Sequence, residues 1–172
     1  MRQACLALLV VLLAACSTSS DRHAYQEEPL PLISLGTLEG QEVAIDLRDH
    51  ADLEVPRGRL YDDLERELTR AGVRVVDQSP LQLRIKSTLI TEDWRTARWQ
   101  ACGRLEGQLL RDGKAEGRSF ISDYCNEHLG NPWRYSTTIR SEEDRQEARA
   151  RAYHGLLRVF LNDLEQAVAA KG

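Results

Sequence analysis

The chain has little that marks an enzyme or a membrane-spanning protein. Its extended apolar run, Ala4 to Leu13, is about ten residues, roughly 15 Å as a helix and half the hydrocarbon thickness of a bilayer, too short to cross one. A polybasic segment is missing, and 23 Lys and Arg stand against 27 Asp and Glu for a net charge of −4. That balance excludes a general nucleic-acid binder and leaves anionic lipid without an electrostatic partner. The four histidines, His23, His50, His128 and His154, form no HExxH or other local ligand pair; they read as surface or boundary residues, and no metal or other cofactor is expected. GxSxG and a Gly-rich phosphate loop are also absent. Ser122, Asp123 and His128 are triad-type residues close in sequence, but neighbours along a strand point to opposite faces, so Ser122 and Asp123 cannot cooperate directly and no catalytic residue is assigned.

What is present begins at the N-terminus. Arg2, the short apolar run and the small residues after it have the layout of a signal peptide. The run ends in Leu13-Ala14-Ala15-Cys16, which resembles the lipobox of bacterial lipoproteins, where the cysteine thiol is diacylated and the peptide is cut before it. The alternative is a cysteine lying by chance near an ordinary cleavage site. On the lipobox reading, residues 1–15 leave, Cys16 carries lipid, and two or three acyl chains give stable anchoring. Ser17 is not the aspartate that resembles an inner-membrane retention signal, so the periplasmic face of the outer membrane is the expected address. Residues 16–40 then form the lipidated N-terminus and a tether containing Ser-Thr-Ser-Ser, Gln26-Glu27-Glu28 and two prolines. Residues 41–172 are expected to be a single periplasmic domain. Loss of Arg2 leaves 22 basic against 27 acidic residues, or −5.

With Cys5 in the leader and Cys16 lipidated, Cys102 and Cys125 remain, and an oxidising periplasm favours one disulfide. Trp99 to Leu110 alternates, with Trp99, Ala101, Gly103, Leu105, Gly107 and Leu109 on one face and Cys102, Arg104, Glu106 and Gln108 on the other. Arg111-Asp112-Gly113-Lys114 is a hairpin signal, and Ala115 to Tyr124 is the returning strand. A turn at Gly113-Lys114 pairs residues whose numbers sum to 227 and sets the cysteines face to face. A turn at Asp112-Gly113 gives 225 and makes them diagonal neighbours. A metal pair or redox couple is the alternative use of the thiols, without a CxxC to support it.

Glu42 to Leu47 alternates as a first strand. Leu60, Leu64, Leu68 and Ala71 mark a helix that Gly72 ends, Val73 to Val76 resumes as extended chain, and Leu81 to Ile85 alternates onward toward Thr91. Ser141 with Asp144 resembles a capping box, and Ala148, Ala152, Leu156, Phe160, Leu164 and Val168 recur at spacings of four, with Leu157 and Leu161 widening the stripe to about Ala169. This order predicts a two-layer α+β sandwich, a mainly antiparallel sheet of about four to five strands with two helices on one face. The lipobox, Asp46 and Arg48 on the first strand, the helix Leu60-Tyr61-Asp62-Asp63-Leu64-Glu65-Arg66-Glu67-Leu68 ending at Ala71-Gly72-Val73, the hairpin and the final helix together resemble small outer-membrane lipoproteins of the YajG and LptE kind. That resemblance implies the fold and, for LptE, a place in lipopolysaccharide assembly.

All three tryptophans sit beside or near arginine, in Trp94-Arg95-Thr96-Ala97-Arg98-Trp99 and Trp133-Arg134-Tyr135. Trp, Tyr and Arg are enriched at binding hot spots, and the hairpin brings both segments to one end. Trp94, Arg95, Arg98, Trp133, Arg134 and Tyr135 therefore form a candidate partner-binding patch, with packing lids and cation–π contacts as the structural alternative. Arg140 to Arg151 reads as a solvated helix face with Glu147 and Arg151 paired, or as a docking surface. Two roles follow: a non-catalytic accessory lipoprotein supporting an envelope assembly or export complex, or a periplasmic binder of a small ligand or envelope polymer such as lipopolysaccharide or peptidoglycan, with weak hydrolase activity at most. Sequence leaves the oligomeric state open.

Overall fold

The structure is a computed structural model that describes residues 28–48, 57–95, 98–129 and 142–170. Cys16, Trp133, Arg134, Tyr135 and the proposed Ser141 cap lie outside these residues.

A 3-10 turn at Gly36–Leu38 precedes β1 (Glu42–Arg48), α1 (Arg57–Arg70), β2 (Arg74–Val75), β3 (Leu81–Arg95), β4 (Arg98–Arg111), β5 (Lys114–Ala115), β6 (Phe120–Leu129) and α2 (Glu142–Ala169). The sheet order is β2-β1-β3-β4, with β5 and β6 paired successively to β4. The α+β sandwich is thus as expected, and its sheet is mainly antiparallel with a parallel edge at β1. β1 runs parallel to both β2 and β3, while β3–β4 and β4–β6 are antiparallel. A helix between β1 and β2 returns the chain to the same end of the sheet, which makes the pair parallel.

α1 buries Leu60, Leu64 and Leu68, and Ala71 just after it is buried as well. It stops where Gly72 takes φ +81°, and the amides of Gly72 and Val73 donate to the carbonyls of Thr69 and Leu68, both at 3.0 Å. This is a Schellman closure, which satisfies carbonyls the helix end would orphan and puts buried Val73 over Leu68. α2 buries Ala148, Ala152, Leu156, Phe160, Leu164 and Val168 together with Tyr153, Leu157 and Leu161. Leu81, Leu83 and Ile85 of β3 and Ala101, Leu105 and Leu109 of β4 meet the helices. Leu30, Ile33, Leu35 and Leu38 belong to the same core, so the packed body includes residues upstream of the boundary at 41 read from the sequence.

The hairpin resolves the register question in two steps. Asp112 and Gly113 form the turn, both with positive φ (52° and 76°), the geometry that matches strand twist in two-residue hairpins. Arg111 accordingly pairs with Lys114, a sum of 225. The ladder then breaks between Ala115 and Phe120, and β6 resumes with Gly107 opposite Phe120 and Cys102 opposite Cys125, a sum of 227. The expected facing of the cysteines is present, but the Gly113-Lys114 turn invoked for it is not. Two residues absorbed after the turn make the shift. Cys102 and Cys125 are bonded, with Cα atoms 4.1 Å apart.

Candidate binding sites

β3 continues to Arg95, past the Thr91 limit expected, after an irregularity between Thr88 and Thr91. Trp94 therefore lies at a strand end. Register pairs Trp94 with Trp99 and Arg95 with Arg98 at the closed end of the β3–β4 hairpin, and pairs Arg98 and Trp99 with Leu129 and His128 of β6. Two tryptophans and two arginines are thus concentrated by backbone pairing at one end of three strands.

The sheet face away from the helices is polar and ion-paired. Asp46 accepts from Arg84 Nε at 3.1 Å and from Arg48 Nε at 2.8 Å. Arg104 grips Asp123 with two guanidinium nitrogens at 2.6 and 2.9 Å, and that hydrogen bonding holds the Asp123 carboxyl below the usual carboxylate range. Ile121 is 57% exposed on this face. Ser122, on the opposite face, is fully buried and donates to Asp163 Oδ2 at 2.5 Å. The separation expected for Ser122 and Asp123 is what the structure has: each is bound to a different partner in a different layer.

A second site went unrecognised in the sequence. A cleft of about 230 Å³ lies between α1 and α2 and is edged by Glu28, Pro29 and Leu30. Asp63 accepts from the Tyr153 hydroxyl and from Arg66 Nη2, each at 2.7 Å. Glu67, buried, accepts from Arg66 Nε at 3.1 Å and Arg70 Nη1 at 2.5 Å. Arg59 lies 5.1 Å from the centre of the Tyr153 ring, a cation–π distance. Burial, reinforced by the bond to Asp63, pushes the Tyr153 phenol far above its ordinary 10.0, so it serves as a neutral donor. His154, also buried, lines the cleft, and its Nε2 has no hydrogen-bond partner among the described residues. Glu28 is tied to Arg158 Nη2 at 3.0 Å. The cleft is not legible in sequence, because residues 28–30, which edge it, fall within the expected tether. The i,i+4,i+7,i+11 recurrence of Arg59, Asp63, Arg66 and Arg70 beside an apolar stripe was the available signal.

Among the described residues no helix is long and apolar enough to cross a membrane, and no group of three or more His, Cys, Asp or Glu could hold a metal ion. The Glu147–Arg151 pair of the final helix is formed.

No family model and no curated protein matches the chain. Solved structures do. Protein XCC0632 from Xanthomonas campestris, of the family DUF330, superposes with a TM-score of 0.55 at 14% identity, over 86% of this chain and 94% of that one. The hypothetical protein CT253 from Chlamydia trachomatis gives 0.53 at 12% identity, over 77% and 99%. A putative lipoprotein from Caulobacter crescentus gives 0.49 at 16% identity, over 73% and 90%. At these identities the likeness is one of fold. The two-layer α+β fold read from the sequence is the one shared with XCC0632 and CT253.

Proposed function

We propose that the chain is a lipid-anchored, non-catalytic accessory protein that docks another envelope protein at the periplasmic face of the outer membrane. The observation that carries the docking part is the register of the β3–β4 hairpin, which sets Trp94 against Trp99 and Arg95 against Arg98. A backbone fixed in paired strands has less entropy to lose on binding than a free loop, the condition under which hot-spot residue types bind well. The cross-strand disulfide between β4 and β6 supports the same reading by tying the strands that carry this end. The address rests on the Leu13-Ala14-Ala15-Cys16 motif.

Two experiments test the proposal. Growth with labelled fatty acid should mark the wild-type protein and leave Cys16→Ser unlabelled; equal labelling would remove the anchor. A photo-crosslinking residue at position 94 or 133 in intact cells should capture one discrete envelope protein, and Arg95→Glu with Arg98→Glu should abolish the capture. Crosslinks that persist in the charge-reversed protein, or none at all, would sink the docking role.

A further inference from the structure

The cleft between α1 and α2 carries its charges at two levels. The Asp63 and Glu67 side chains lie low, 13% and 5% exposed, whereas those of Arg59, Arg66 and Arg70 are 46%, 56% and 44% exposed. Asp63 and Glu67 orient the guanidinium groups from beneath, so the rim that a ligand meets is positive even though acids and bases are equal in number. A planar guanidinium held by a carboxylate on one edge keeps further N–H donors on its others. Glu28, the acid at the mouth, is largely exposed and bonded to Arg158, so it does not fill the space between the arginines. The buried His154 Nε2 is an independent sign of a missing partner: a polar atom at this depth with no hydrogen bond among the described residues is costly, and a ligand oxygen would relieve it.

We propose that this cleft binds a phosphate group, held by the Arg66 and Arg70 guanidinium groups with Arg59 at the edge and His154 Nε2 as its deepest contact. Three arginines lining one cleft can donate to more oxygens than a planar carboxylate carries, which suits a tetrahedral oxyanion. About 230 Å³ accommodates a phosphate ester with a small organic stem. A free ester and a lipid headgroup present the same chemistry to the arginines, and the titration below separates them. The site is separate from the hairpin end, and the proposal stands whether or not that end docks a protein.

The test uses the purified full chain in a nonionic detergent, with the imidazole resonances followed by NMR and His154 assigned by His154→Gln. Inorganic phosphate or glycerophosphoglycerol, added at constant ionic strength, should shift the His154 ring signals saturably. Saturation by inorganic phosphate alone identifies a free monoester-like ligand, and saturation by the diester identifies a headgroup; either supports the site. Arg70→Gln should weaken the response about tenfold or more, the loss expected for one charge-assisted hydrogen-bonding group, while Arg84→Gln on the far sheet face should not change it. No shift with either compound, an equal shift with acetate, or an undiminished response in Arg70→Gln would overturn the proposal. If Arg70→Gln fails to fold, the wild-type titration against acetate still decides.

Discussion

Gly155→Ala sets two effects of known size against each other. In the interior of α2, alanine is worth about 1 kcal/mol over glycine in helix propensity. A Cβ at this position, however, would lie 2.2, 2.3 and 2.6 Å from Cε1, Cζ and Cδ1 of Tyr124. Carbon pairs rest at about 3.5–4.0 Å, so the ring must withdraw by roughly 1 Å or more. Tyr124 cannot easily retreat with its backbone, because it adjoins Cys125, which is bonded to β4. Overpacking of this kind costs about 1–3 kcal/mol. The clash should win, and the substitution should cost about 1 kcal/mol net, or about 3 °C in Tm for a domain of this size. Urea denaturation of Gly155→Ala, Tyr124→Ala and the double mutant measures it. With the ring removed, the same alanine should become stabilising by about 1 kcal/mol, a coupling of about 2 kcal/mol across the cycle. If Gly155→Ala were equally stabilising with and without Tyr124, the steric reasoning would be refuted.

Three other perturbations probe different layers. Reducing the disulfide, or Cys125→Ser, should cost about 3 kcal/mol from reopening a loop of about 24 residues, read as a shift in denaturation midpoint that reductant produces only in the wild type. Ser122→Ala should cost about 1–2 kcal/mol, because it removes the fully buried donor to Asp163; a loss shared by Ser122→Thr would point to packing instead. Tyr153 predicts an alkaline limb. Its folded pKa is raised above the ordinary 10.0, by burial first and the Asp63 bond second, so its contribution is complete below that value and is lost as pH rises and the unfolded chain ionises. Stability measured from pH 8 to 11 should therefore fall more steeply in the wild type than in Tyr153→Phe.

Periodicity carried the helices and the hairpin faces. The stripe from Ala148 to Val168 is buried at every predicted position, and Gly72 closes α1 where a left-handed residue was needed. Strand direction was less legible, since alternation marks a face and says nothing of whether β1 and β3 run together. The contribution of Leu30, Ile33, Leu35 and Leu38 was hidden because short apolar residues among prolines and polar residues have no period to detect. That omission concealed the cleft as well, because a site made by an irregular segment crossing two helices exists only in tertiary structure. The hairpin end was found by residue type alone, and only pairing showed that its tryptophans and arginines lie opposite one another.

The two glycines that receive aromatic rings decide something that polarity cannot. The alternative hairpin registers differ by two residues, so both keep every apolar side chain on the core face, and a strand could slide from one to the other without exposing any of them. In the observed register the Phe120 ring lies over Gly107, where a Cβ would approach it to 2.2 Å, while Tyr124 occupies the space left by Gly155. Moved by two, Phe120 would face Leu105 instead, and the socket at Gly107 would stand opposite Arg118. Gly107 and Gly155 thus act as a lock with two wards, one in the sheet and one in the helix, and the strand that fits both brings Cys125 to Cys102.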